Sequence, residues 1–190
     1  HGVGSSVVNA LSTRLDVAVR QHGHVWRQEY RDGGVPQAPL KQEEATDETG
    51  TTITFWPDPS IFETVDFDYD TLRTRFQQTA FLNKGLRITL NDLRPASSYV
   101  VDGEDGQALV KQPHDDFLYE RGLVDYVEYL NRVRKAEVVN DEIIEVESED
   151  TERRISLELA MQWTTGYTEN VFTFANTINT HEGGTHEEGF

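Results

Sequence analysis

The residues His1-Gly2-Val3-Gly4-Ser5-Ser6 have types and spacing suited to holding an anion. Two glycines let backbone amides approach a phosphate closely, and an apolar helical pattern through Val7, Val8 and Leu11 follows at once. The start of a helix favours negative charge, and Ser5 and Ser6 can donate as well. A plain turn uses the same residues, so the pattern alone leaves both readings open. It is not a Walker A loop, because no Lys-Ser/Thr follows, nor a Rossmann fingerprint, because the third Gly is missing.

His181-Glu182-Gly183-Gly184-Thr185-His186 invites a metal reading. A zinc-binding helix needs its histidines four apart, whereas these are five apart with two helix-breaking glycines between them. A glycine loop delivering Thr185 or His186 to a neighbouring site, or an ordinary turn, fits better. Asp66-Phe67-Asp68-Tyr69-Asp70 clusters carboxylates at what reads as an exposed helix entrance. The run from Glu142 to Glu152 reads as a solvated acidic hairpin. No Ser/His/Asp set assembles, and the absence of Cys excludes a disulfide, a thiolate metal site and a thiol nucleophile.

The elements that position these residues alternate between the two regular periods. Leu15 to Arg20 and His24 to Tyr30 alternate with period two around Gln21-His22-Gly23, a tight connection in which Gly23 can take a positive φ. Residues 32–50 hold glycine, proline and acids and read as a loop. Thr51 to Trp56 is a β-branched and aromatic strand stopped by Pro57. Asp70 is expected to cap a helix through Leu72, Phe76, Thr79 and Ala80, with Gly85 as its C-cap. Leu86 to Asn91 reads as a strand, 98–116 as a linker, and Leu123 to Leu130 as a helix. Val138 to Val146 reads as extended, and Ile155 to Trp163 as a strand paired with Asn170 to Asn176 across Gly166. The class is α+β in two parts.

Composition narrows the function. The 190 residues carry a net charge of −17, which opposes nucleic-acid binding through the overall field. Residues 1–97 have 10 basic and 13 acidic side chains, and residues 98–190 have 7 and 21, so two regions of different surroundings are expected. Only 4 of the 17 basic residues are Lys, which fits either salt adaptation or a codon bias toward Arg. No apolar run approaches the roughly 20 residues of a membrane span, and a cytoplasmic location fits. The opening at His1 without Met, and the close at Gly189-Phe190 after a loop, lead us to expect an internal piece of a longer protein.

Several blocks together resemble a family. His1 to Ser12 is similar to the ATP-lid loop and helix of bacterial DNA gyrase B proteins, the ATPase components of type IIA DNA topoisomerases. Thr49-Gly50-Thr51 running into Phe55-Trp56-Pro57 resembles the family's next nucleotide-site strand. Phe81 to Gly85, Tyr126 to Asn131, Ala160 to Trp163 and Phe174 to His186 resemble later blocks in the family's order, the last in wording most like actinobacterial forms. Topoisomerase IV shares most of these motifs. A non-topoisomerase ATPase of the same superfamily, and a non-enzymatic acidic interaction module, remain the other readings.

The resemblance implies the second half of a GHKL-type ATPase domain over residues 1–97, a linker over 98–116, and the first half of an S5-like transducer domain over 117–190. It implies that the backbones of His1, Gly2, Val3 and Gly4 wrap the ATP triphosphate. Thr51 would help hold adenine, partly through water, and Ser5 and Ile53 would line the pocket. The family's general base, Mg²⁺ ligand and γ-phosphate lysine fall outside this chain, so the chain alone is expected to be inactive. Implied partners are the gyrase A protein in an A2B2 heterotetramer, a second gyrase B protein on ATP binding, and DNA. Gln21 stands where gyrases commonly carry an Arg that contacts coumarin-type inhibitors, and Arg20, as a strand neighbour, should face away from it.

Overall fold

The computed structural model describes residues 2–102 and 107–190, an α+β chain in two compact units that divide between Phe67 and Asp68. In the first unit, α1 (Gly4–Ala10) leads through Leu11 into β1 (Ser12–Gln21). There follow β2 (His24–Arg31), β3 (Val35–Pro36), β4 (Lys41–Ala45) and β5 (Gly50–Pro57). They form an antiparallel sheet in the order β3-β2-β1-β5, with β4 also on β2. The β1–β2 turn holds His22 and Gly23 at φ 55° and 77°, the mirror-image turn whose twist matches a two-residue hairpin.

Register sorts the sheet into two chemically distinct faces. Val17 lies opposite Gln28 and Ile53, and Val19 opposite Trp26 and Thr51. With a period of two, Leu15, Val17, Val19, Trp26, Tyr30, Thr51, Ile53 and Phe55 therefore share one face. Arg14, Asp16, Arg20, Arg27, Glu29, Arg31, Thr52 and Thr54 share the other, with Trp56 and the buried Ala18 and Val25 among them. The expected loop at 32–50 contains β3 and β4 instead. β4 is Lys41-Gln42-Glu43-Glu44-Ala45, poor in strand-forming residues, and is held on β2 by Arg27, which lies 2.6 Å from Glu43 and 3.3 Å from Glu44.

The second unit runs through α2 (Tyr69–Phe81), β6 (Ile88–Asn91), a single 3₁₀ turn (Pro95–Ser97), β7 (Tyr99–Asp102), β8 (Ala108–Lys111) and β9 (His114–Phe117). It continues through α3 (Leu123–Arg134), β10 (Ile144–Asp150), β11 (Ile155–Met161), β12 (Phe174–Ala175), β13 (Ile178–Asn179) and the short α4 (Thr185–Gly189). Its centre is Phe81, 1% exposed, stacked on Tyr119 with ring centroids 3.7 Å apart and on Tyr126 at 4.8 Å. Ala80, Phe117 and Val124 are buried with it.

Three local expectations give way, and a fourth segment is more ordered than expected. α2 is capped by Asp68, whose carboxylate accepts from the Thr71 N–H at 2.7 Å, while Asp70 sits inside the first turn. Gly85 is not the C-cap. The helix stops at Phe81, Asn83 Nδ2 donates back to Thr79 O at 2.7 Å, and the Gly85 N–H donates to Tyr119 O. Residues 98–116, expected as a linker from their Gly, Pro and Ser content, carry the β7–β8 pair and β9, which pairs with β6 so that Ile88 faces Phe117. Finally, β11 pairs with β10, from Ile144–Met161 to Asp150–Ile155, and not with residues 170–176. The short turn ending at Arg154, with φ 55°, closes that hairpin at smaller entropic cost, and β12 pairs with β13.

Candidate functional site

The glycine loop enters α1 with Gly2 at φ +90°, a conformation that favours glycine. Gly4 is outside the left-handed region and opens the helix. No side chain caps α1, so the amides of its first turn lack partners within the helix. A Cβ at Gly2 or at Gly4 would meet no atom within 4 Å, so the loop backbone borders open space of the kind an incoming phosphate needs. Val3 and Ser5 are exposed along the same stretch. His1 lies outside the described residues.

β5 supplies the second part. Thr51 and Ile53 sit on the apolar face beside Val19 and Val17, and Ile53 is 49% exposed. Gln21, two residues past Val19, falls on the same face, and its carbonyl accepts the Trp26 Nε1–H at 3.2 Å. Arg20 is on the opposite face, donating to Thr52 Oγ1 at 3.1 Å. Register thus brings Thr51, Ile53 and Gln21 together and keeps Arg20 away from them. α1 meets β5 near its other end, where Val7, Val8, Leu11, Phe55, Phe62 and Phe67 line an apolar cavity of about 200 Å³. Phe67 stands edge-on to Phe55 with centroids 6.0 Å apart.

Comparison with known proteins decides the family. The DNA gyrase B family model matches residues 122–190. The DNA gyrase B protein of Micrococcus luteus is 54% identical over the whole chain, which covers 29% of that relative. Its Streptomyces coelicolor counterpart is 55% identical, again over the whole chain and 28% of the relative. The chain belongs to the DNA gyrase B family. The 43K ATPase domain of Thermus thermophilus gyrase B, solved in complex with an aminocoumarin, is 29% identical with a TM-score of 0.79. That match covers 97% of this chain and 45% of the solved one. The chain therefore spans less than a third of the curated gyrase relatives and under half of the solved domain. Two Streptomyces niveus gyrase B proteins, one named novobiocin-sensitive and the other novobiocin-resistant, are both 50% identical to it.

In this gyrase-family chain the other clusters of chemical groups have structural partners. His186 Nε2 lies 3.1 Å from Thr180 Oγ1, which in turn meets Thr173 Oγ1 at 2.7 Å, tying α4 to the β12–β13 hairpin. Tyr69 donates to Asp115 at 2.7 Å, and burial, followed by that bond, pushes its hydroxyl up to about 12. Asp92 is held well below the usual carboxylate range, first by its hydrogen bond from Arg94 and then by Ser97. Among the described residues no group of three His, Asp or Glu side chains is placed to hold a metal ion, and no helix is long and apolar enough to cross a membrane.

Sequence reasoning missed Phe62 and Phe67, because residues 58–67 follow neither regular period. It also placed Arg20 only by the direction of its side chain. The signal that could have found its partners is the pair Glu48 and Thr52, which bracket Gly50-Thr51.

Proposed function

We propose that this chain is the part of a DNA gyrase B protein that joins the end of its nucleotide site to the start of its transducer. In this reading residues 1–97 belong to a GHKL-type ATPase domain, 98–116 connect as a segment that carries β7 and β8, and 117–190 begin an S5-like transducer. The supporting observation is that Thr51 and Ile53 share the open apolar face of β5, while Thr52 and Thr54 lie on the other face with the ion pairs of Arg14 and Arg20. Bound ATP supplies the energy of its binding and hydrolysis, which the whole protein couples to DNA strand passage and negative supercoiling in the cytoplasm.

The chain's own residues bind and orient. The backbones of Gly2, Val3 and Gly4, with His1 before them, wrap the triphosphate, for which the open space at the two glycines leaves room. Ser5 and Ile53 line the pocket, and Thr51 holds the adenine. We assign the Mg²⁺ ligand, with the general base, to the rest of the full-length protein. Working partners are then the gyrase A protein in an A2B2 heterotetramer, a second gyrase B protein on ATP binding, and DNA.

The test is ATP-dependent supercoiling by the full-length protein with its gyrase A partner, together with ATP affinity of the Thr51→Ala variant. Negative supercoiling with weakened ATP binding in the variant is expected. Relaxation without supercoiling would transfer the chain to a topoisomerase IV, and unchanged affinity would remove Thr51 from the site.

A further inference from the structure

Arg20 reaches across the charged face of the sheet to both sides of Thr51. Its Nη1 donates to Thr52 Oγ1 at 3.1 Å, and its Nε lies 3.3 Å from a Glu48 carboxylate oxygen. Thr52 follows Thr51 directly. Glu48 precedes Gly50, which has a φ of +140°. The loop before β5 is tied to the same hairpin a second time, by the Thr46 N–H donating to Gly23 O at 3.0 Å. β5 needs such ties because, among the described strands, it pairs only with β1 and stands at the sheet edge. An edge strand that starts at a glycine is free to twist or fray at that end unless side chains pin it.

We infer that Arg20 is a positioning residue for the nucleotide, pinning Thr52 and Glu48 on the charged face so that Thr51 is presented to adenine on the other. This rests on the reading of Thr51 as an adenine contact. Alternation supplies the geometry: holding Thr52 on one face fixes the direction of Thr51 on the opposite one. The planar fork of guanidinium serves a hydroxyl and a carboxylate at once, whereas a lysine ammonium presents a single compact charge. Arg20 keeps 31% of its side chain exposed, and Glu48 78%, so the pair lies at the rim of the sheet rather than in its core.

The test uses adenylyl imidodiphosphate with the full-length protein, binding being measured by calorimetry and folding by thermal melts. Arg20→Gln and Thr52→Val should each weaken binding about 3- to 10-fold, the scale of one lost hydrogen bond, at unchanged melting temperature. Arg20→Gln added to Thr51→Ala should weaken it no further than Thr51→Ala alone, because Arg20 acts through Thr51. If the two losses multiply, or if Thr51→Ala weakens binding while Arg20→Gln and Thr52→Val do not, the inference is overturned and the role of Thr51 stands. If Thr51→Ala itself leaves affinity unchanged, the reading beneath the inference falls first. Should Arg20→Gln fold poorly, Thr52→Val alone decides, since it removes the acceptor and keeps the shape.

Discussion

In the unit ending at Phe67, Arg14, Arg20, Arg27, Arg31 and Lys41 each face a carboxylate along one side of the sheet. The unit beginning at Asp68 arranges charge differently on its β10–β11 hairpin. There Glu147 lies directly opposite Glu158, with Glu145 on the same face, and Lys84 from beyond α2 reaches Glu147 at 2.9 Å and Glu145 at 3.7 Å. Apolar surface is open in both units, but only the second closes a ring stack. The first unit leaves Ile53 and Phe55 49% and 39% exposed, and the hairpin of the second leaves Ile155 and Leu157 57% and 47% exposed. The second unit also stacks Tyr119 and Tyr126 around the buried Phe81. Balanced charge beside an open apolar face suits a sheet that receives other groups. A closed aromatic centre with unbalanced acidic charge elsewhere suits a body that holds its own shape.

If the ring stack is what closes the second unit, Phe81→Ala should produce the largest effect. Removing a fully buried aromatic ring costs about 3–5 kcal/mol. Hydrogen exchange on the full-length protein should show α2 and α3 amides losing protection while β1 and β2 amides keep theirs. Equal loss in both units would break the contrast.

The open face of the first unit should be sensitive to what is placed on it. Gln21 shares that face with Thr51 and lacks the charge and planar fork of an arginine. Gln21→Arg should restore a charge-assisted hydrogen bond to a coumarin-type inhibitor, about 1.5–3 kcal/mol or roughly 10- to 100-fold in affinity, with ATP binding largely kept. Inhibitor titration of the two full-length forms checks this. Equal affinities would place Gln21 outside the inhibitor's reach.

Where sequence and structure agree, the information was local. The alternation of Leu15 to Arg20 and His24 to Tyr30 and the His22-Gly23 turn yield the hairpin, and the same alternation places Thr51 and Ile53 together. Where they part over strands, the deciding partner is distant in sequence. β4 is a strand because it pairs with β2, Lys41 opposite Arg27 and Ala45 opposite His24. The cap of α2 is a local exception: the chain enters the helix at Tyr69, so Asp68 and not Asp70 is the cap. No period in β11 chooses between β10 and residues 170–176 as its neighbour. The phosphate-facing reading of Gly2 and Gly4 needed a resemblance, since glycines in a turn look the same whatever they approach.

The two loop glycines separate strain from ligand contact. Gly2→Ala puts an L side chain at φ +90°, at a cost of about 1–2 kcal/mol, so the free loop should relax out of that conformation and ATP affinity of the full-length protein should drop about tenfold. Gly4 has ordinary helical backbone and open space around it, so Gly4→Ala should leave the melting temperature alone. It should weaken ATP binding only through the phosphate's own need for that space. A melting temperature lowered by Gly4→Ala would mean that the loop is packed, not open.

The smallest effect expected is that of Lys84→Met, and its value lies in its sign under salt and pH. Lys84 and Glu147 are about half exposed, so the pair adds little stability by itself. What the lysine also does is sit between carboxylates that repel one another across the hairpin. In the wild type, added salt weakens the bridge and the repulsion together. In Lys84→Met only the repulsion is left, so salt should stabilise the variant relative to the wild type. Its hydrogen bond to Glu147 raises the lysine pKa above the ordinary 10.5. The wild-type advantage should therefore be complete below pH 10.5 and fade as pH climbs through the raised value. Arg31→Met in the first unit should show no such reversal, because its partner Glu29 is still met by Arg14 at 3.6 Å. Thermal melts of the full-length variants at low and high salt decide it. Identical salt responses would mean that the acidic hairpin, like the sheet, is neutralised by more than one cation.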